Sequence, residues 1–153
     1  MKSKAYWWMV AVILVSAFLC RNNCIWAANQ PFRLDTSKDR VLAADDFSNW
    51  QANWVVETEQ PSRISYREED SLLDVVAEKG LTLWYKYPFS GNLTITYEAC
   101  AVQQGGPFDR VSDLNCFWMA VDPRHPDDLF AEKEWRQGVF GRYYSLVLYY
   151  LGY

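Results

Sequence analysis

The second half of the chain carries residue types that bind sugars: an indole, a carboxylate and two side-chain amides. A tryptophan ring offers a flat apolar surface to one face of a pyranose ring. Carboxylate and amide groups form hydrogen bonds with the hydroxyls of the same sugar. The alternative is that the aromatic residues only cover a second layer of core. The candidates for substrate binding are Trp118, Glu98, Asn115 and Gln103.

Three further residues indicate lyase chemistry: Arg110, Tyr143 and Tyr149. A polysaccharide lyase neutralises the carboxylate of a uronic acid and removes the proton at C5. Arg110, helped by Asn115 and Gln103, suits the first task. Tyr143 or Tyr149 suits the second if a nearby arginine lowers the pKa of its hydroxyl. Alternatively, Arg110 forms a salt bridge with a neighbouring aspartate and only holds its loop together.

Other site chemistry has little support in the sequence. The chain has 1 histidine, which excludes a multi-histidine metal site, and this residue stands between two prolines, as in a turn. Acidic pairs in turns are either solvated or ligands of a calcium ion. The calcium candidates are Asp45, Asp46, Asp127 and Asp128. No other cofactor is predicted.

Short strands must position these residues. From Val41 onward, runs with period-2 alternation are separated by turn residues roughly every 8–12 positions, which is typical of an antiparallel sandwich. Residues 129–137 predict one or two helical turns. The predicted strands are Asn53–Glu57, Arg63–Tyr66, Ser71–Val76, Leu81–Tyr87, Leu93–Val102, Leu114–Val121 and Arg142–Leu151.

The fifth and sixth of these strands are predicted to pair as a hairpin. In that register Glu98 faces outward, opposite Trp118, while the alternating apolar residues face the core. The same register places Cys100 opposite Cys116. Two interpretations of this cysteine pair stay open: a disulfide bond, or two separate buried thiols. A bulge in the loop would shift the register.

The N-terminus predicts export. Lys2 and Lys4 precede an apolar run that ends at Cys20, and small residues follow at Ala27 and Ala28, as in a secretory signal peptide. The alternative is an uncleaved membrane anchor, and in both cases the domain lies in the periplasm or outside the cell. The predicted division is a signal peptide over 1–28, a linker over 29–40 and one β-sandwich domain over 41–153.

The composition of the chain limits the classes of partner that it is expected to bind. Of the 153 residues 17% are aromatic, and the net charge of −4 becomes −7 once the three basic residues of the signal peptide are removed. Such an acidic chain is a poor match for nucleic acid or an anionic membrane. An acidic polysaccharide remains compatible, because a few arginines can bind its carboxylates locally.

Two stretches resemble known jelly-roll proteins. Asp45–Ser48, followed by Trp50 and Trp54, resembles the opening of concanavalin-like lectin and glucanase domains. Residues 105–120 (GGPFDRVSDLNCFWMA) are similar to an uncharacterised secreted bacterial family associated with polysaccharide degradation. The resemblance covers 41–153 and implies an all-β, antiparallel two-sheet jelly-roll sandwich. Because that family continues beyond Tyr153, the sandwich is expected to be incomplete.

Together these features predict an exported domain that engages polysaccharide on its concave sheet. Three readings of that surface stay open. In the first, the domain is a lyase-like or hydrolase-like enzyme. In the second, it is a non-catalytic carbohydrate-binding module. In the third, it is a structural sandwich whose aromatic residues form a second core layer.

Overall fold

The computed structural model describes residues 7–8, 40–109 and 114–152, which form mostly strands with few helices. The expected all-β class is therefore confirmed. Helix α1 spans Trp50–Asn53 and helix α2 spans Lys133–Arg136, with 3-10 turns at Glu68–Asp70 and Phe140–Ser145. The strands within these ranges are β1 (Trp7–Trp8), β2 (Trp54–Thr58), β3 (Ser62–Arg67), β4 (Leu72–Ala77), β5 (Leu81–Tyr85), β6 (Pro88–Phe89), β7 (Cys116–Val121) and β8 (Val147–Leu151).

Strands β2 to β5 form one antiparallel ribbon. Thr58 lies opposite Leu81 at the end of the β2–β5 pair, and Ser62 lies opposite Ala77 at the start of the β3–β4 pair. The ladder has a break between these two pairs, but the chain advances by four residues on each side of it, so the register continues. Inside the break, the amide of Glu59 donates a hydrogen bond of 3.2 Å to the carbonyl oxygen of Gly80. The ribbon is thus a single long hairpin that closes at the turn Glu68–Asp70.

The two halves of the ribbon pack on each other. Pro61 lies at the break, where its missing amide hydrogen interrupts the ladder. Beyond this point β3–β4 covers one face of β2–β5. The centre of this first core is formed by Trp54, Leu72, Leu73 and Leu83.

The opposite face of β2–β5 covers a second core. Val55 and Trp84 alternate with the residues of the first core and therefore point the other way. They meet β7, β8 and the segment that carries α2. The buried centre consists of Trp84, Phe117, Ala120, Leu129, Tyr143 and Leu146. The pair β2–β5 is therefore a middle layer with both faces covered.

Strand β7 belongs to a sheet with the order β6-β1-β7-β8. Trp8 of β1 lies opposite Pro88 of β6 and Ala120 of β7. The stretch containing β1 is assigned from the sequence to a signal peptide, and that assignment stays a prediction. In the described part of the chain, β6 and β8 are the two edges of this sheet.

The predicted strand Leu93–Val102 and its hairpin with β7 are wrong, because residues 93–103 have no regular secondary structure. An alternating pattern gives a strand only where a neighbour offers a free edge. In this structure β8 pairs along one edge of β7, and β1 meets the other edge at Ala120. Glu98 therefore does not face Trp118 across a ladder. Cys116 is buried and is not joined to Cys100.

The last predicted strand begins later than expected. Residues Phe140–Ser145 form a 3-10 turn, so β8 starts only at Val147 instead of at Arg142. Side chains at the start of this stretch consequently do not follow the alternation of a strand. Helices α1 and α2 have four residues each, and the described ranges contain no helix that could span a membrane.

Candidate functional site

The pairing of β7 with β8 contains a bulge. Trp118 lies opposite Tyr149 and Val121 opposite Val147, so two residues of β7 face one residue of β8. Met119, inside this bulge, has a left-handed φ of 56°. The bulge reverses the alternation beyond Trp118. As a result Ala120, which would otherwise point outward, is fully buried.

Trp118 and Tyr149 form a stacked pair on the outer face of β7 and β8. Their ring centroids are 5.7 Å apart and their planes are inclined by 14°. Leu148 packs against the second core, so its neighbours Val147 and Tyr149 point away from it. Val147 and Tyr149 are each 59% exposed, and Trp118 is half-buried. The two rings therefore share one accessible surface.

The other binding candidates lie in different surroundings. Glu98 and Gln103 are exposed on the irregular segment 93–103. Within the described ranges, no hydrogen bond or ring contact joins either of them to the stacked pair. Asn115 is half-buried and accepts a hydrogen bond of 3.0 Å from the hydroxyl of Tyr150. Arg110 lies outside the described residues.

Tyr143, one of the two candidate bases, lies in the second core, whereas the other, Tyr149, lies on the outer face. Tyr143 is 4% exposed, and its hydroxyl donates a hydrogen bond of 2.7 Å to Oε2 of Glu57. Burial, together with the Glu57 carboxylate, raises the pKa of this hydroxyl. A lyase base needs access to its substrate and a lowered pKa, so the catalytic role predicted for Tyr143 does not fit its position.

Glu57 is also the partner of a buried arginine that the sequence did not single out. Arg136 Nη2 lies 2.6 Å from Glu57 Oε1, and both side chains are fully buried. The same nitrogen donates to the carbonyl oxygen of Leu129 at 2.7 Å. The guanidinium carbon of Arg136 lies 5.9 Å from the ring centroid of Trp84. The one available signal was that Glu57 alternates in step with Val55, which predicts that it points toward a core.

A second buried carboxylate, Asp122, lies where β7 ends. Its Oδ2 is 3.9 Å from Arg136 Nη1. Arg124 approaches the same carboxylate from the surface with two hydrogen bonds, of 3.0 Å from Nε and 2.9 Å from Nη2. These contacts, led by the side-chain hydrogen bond from Arg124, keep the pKa of Asp122 below its ordinary value. The charged network thus runs from the core to the surface.

A shallow acidic depression of about 400 Å³ lies before β2. Asp45 accepts hydrogen bonds there from the side chains of Asn53 and Trp54, at 2.7 and 3.1 Å. Asp46 accepts hydrogen bonds from the hydroxyl and the amide of Ser48, which lower its pKa. Both carboxylates therefore hold the turn that leads into α1. The described residues contain no group of three or more metal-binding side chains, and the calcium hypothesis stays a prediction.

The described ranges define an all-β domain whose exposed strand pair carries a stacked tryptophan and tyrosine. Residues 75–153 match a family described as a domain of unknown function (DUF6250), and the chain belongs to this family. The matched part includes Trp118, Tyr149 and the whole of α2. No curated protein and no solved structure matches the chain.

Proposed function

We propose that the protein is an exported domain that binds polysaccharide through the outer face of β7 and β8. The observation that carries this proposal is the Trp118–Tyr149 pair, with nearly parallel rings 5.7 Å apart beside the exposed Val147. Adjacent exposed apolar side chains commonly mark a binding surface. An aromatic face suits the apolar face of a pyranose ring. Since each ring is already held by its neighbour, ordering it on binding costs little entropy.

A binding function requires less of this surface than catalysis does. A lyase needs a basic group beside the substrate, and Tyr143 is buried against Glu57. Tyr149 is accessible, but its ring is engaged with Trp118. Binding requires only the accessible rings themselves. We therefore favour a carbohydrate-binding module over a polysaccharide lyase.

The proposal includes export and a jelly-roll architecture. Its support is the signal-peptide pattern over 1–28, the resemblance over 41–153, and the antiparallel pairing of the described strands. Cleavage of residues 1–28 would remove β1, which now lies between β6 and β7. Mass spectrometry of the exported protein tests this point. We expect a chain that begins near Asn29, and an exported chain that retains Met1 would contradict cleavage.

Affinity electrophoresis against a panel of neutral and acidic polysaccharides tests the binding surface. We expect at least one polymer to retard the wild-type protein. Tyr149→Ala should weaken that interaction about tenfold, the equivalent of about 1.4 kcal/mol. Tyr149→Phe, which keeps the ring, should bind like the wild type.

Tyr144→Ala is the matched control for this experiment, because Tyr144 is 81% exposed, lies on the 3-10 turn and packs its ring against Phe140. It should bind like the wild type. A panel in which no polymer is bound, or in which Tyr149→Ala binds as tightly as the wild type, would overturn the proposal.

A further inference from the structure

A cluster of two arginines surrounds Trp135 of α2. The guanidinium carbons of Arg124 and Arg142 lie 5.5 and 5.6 Å from the centroid of the Trp135 ring. The ring is 45% exposed, and the Arg124 side chain is 46% exposed. Two cations held over one accessible indole are notable in a chain whose net charge is −4.

Arg124 is held in place by a carboxylate in the protein interior. Asp122, whose side chain is 0% exposed, binds its Nε and Nη2 groups. Nη2 also lies 3.4 Å from the hydroxyl oxygen of Ser145. The guanidinium therefore has a fixed orientation before any ligand arrives. Such pre-organisation lowers the entropy cost of binding.

Arg142 is held differently, by neutral groups. Its Nη1 donates to the carbonyl oxygen of Trp135 and, at 3.3 Å, to Oε1 of Gln137. Among the described residues no carboxylate lies within ion-pair distance of Arg142. Its charge is therefore not compensated in that part of the chain. Within the same part of the chain, the Nε and Nη2 groups of Arg142 form no hydrogen bond.

We propose that Arg142 and Arg124, held on Trp135, form a subsite for the carboxylates of an acidic polysaccharide. A carboxylate binds one edge of a guanidinium through two parallel hydrogen bonds, a geometry that lysine cannot provide. A polyuronate carries a carboxylate on every sugar, so Arg142 binds one carboxylate while Arg124, whose Nε and Nη2 groups bind Asp122, contributes its remaining Nη1 group to the next, and weak contacts add up. This inference rests on the proposed function and names the substrate class.

The arginine cluster is attached to the end of the strand that carries Trp118. Asp122 directly follows Val121, the last residue of β7, which lies opposite Val147. Trp118 lies three residues earlier on the same strand, on the other side of the bulge at Met119. The stacked pair and the arginine cluster are therefore neighbours along β7 in sequence.

The experiment compares polygalacturonate and alginate with their methyl esters, which keep the backbone and lose the charge. By affinity electrophoresis or calorimetry, we expect the wild-type protein to bind one of the acids at least about tenfold more tightly than its ester. Arg142→Gln should lose this preference, and Arg142→Lys should lose most of it. The preference should shrink at high salt, because accessible charges are screened.

Arg63→Gln is the matched control, because Arg63 is 68% exposed and pairs with Asp74 on the remote β3–β4 sheet. It should keep the preference, and unchanged circular dichroism should confirm that every variant is folded. If Arg142→Gln keeps the preference, if the esters bind as tightly as the acids, or if dextran sulfate binds as tightly as the acids, the carboxylate subsite is wrong. The proposed polysaccharide-binding function is tested independently of this subsite: it is wrong if Tyr149→Ala leaves all polysaccharide binding unchanged.

Discussion

Glu57 and Arg136 lie 79 positions apart in the chain and form an ion pair in which both side chains are completely buried. Arg136 binds the carboxylate through Nη2 at 2.6 Å and through Nε at 3.1 Å from Oε2. The pair connects the middle layer, β2–β5, to α2. Taking two charges out of water is costly, so the loss of either partner leaves a buried charge without compensation.

Replacement of Arg136 by methionine tests this connection. The Glu57 carboxylate would remain buried without its cation, and we expect the free energy of unfolding to fall by about 3–5 kcal/mol. Urea denaturation followed by tryptophan fluorescence measures the change. Arg63→Gln breaks an exposed ion pair with Asp74 and should cost less than about 1 kcal/mol. Equal losses in the two variants would show that burial of the pair is unimportant.

Tyr143 should make the stability depend on pH in the alkaline range. Its hydroxyl pKa is raised in the folded protein by burial and by Glu57, so the unfolded chain releases this proton at a lower pH than the folded one. The associated stability is present below the unfolded-state pKa of about 10 and is lost as pH rises above it. Urea denaturation between about pH 8 and about pH 11 measures this loss.

The variant Tyr143→Phe has no phenolic proton and isolates the effect. It should be less stable than the wild type at the lower end of the range, because the Glu57 carboxylate loses a hydrogen-bond donor. Its stability should then decline less steeply as the pH rises. Parallel slopes for the two proteins would rule out Tyr143 as the source.

Gly138 should tolerate no side chain. Its φ is +73°, and an added Cβ would lie 2.5 Å from the carbonyl oxygen of Gly80 and 2.8 Å from that of Glu57. Gly138→Ala should therefore cost about 2 kcal/mol or more, from left-handed strain together with the clash. Gly141→Ala, where a Cβ meets nothing within 4 Å, should change stability by less than about 0.5 kcal/mol. Thermal unfolding of both variants measures the difference. Similar melting temperatures would contradict the close packing of Gly138 against the two carbonyl oxygens.

Strands β2, β3 and β4 could be predicted to within one or two residues from alternation. Each of them pairs within the same ribbon, so the local pattern and the turn residues between the strands contain most of the necessary information. The segment Leu93–Val102 shows the limit of that reasoning. It alternates equally well, but a strand also needs a neighbouring strand with a free edge. Which strands lie beside β7 cannot be predicted from the local sequence.

The candidate site likewise contains residues whose positions could be predicted from the sequence and residues whose positions could not. An outward-facing Trp118 and Tyr149 could be predicted from parity, whereas their direct pairing depends on which strand lies beside β7. Tyr143 was expected to alternate with a strand, but the 3-10 turn places it in the core. The partnership of Glu57 with Arg136 could not be predicted, because it depends on how two distant layers pack.

The ribbon also determines where the folding unit of this protein begins. The family match starts at Val75, inside β4, whereas the partners of β4 and β5 are β3 and β2, which precede it. A recombinant fragment cut at that position would hold half of a hairpin. It would also keep Arg136 in the protein interior while discarding Glu57. The smallest autonomous piece must therefore reach upstream at least to Trp54, well before the boundary that sequence similarity draws.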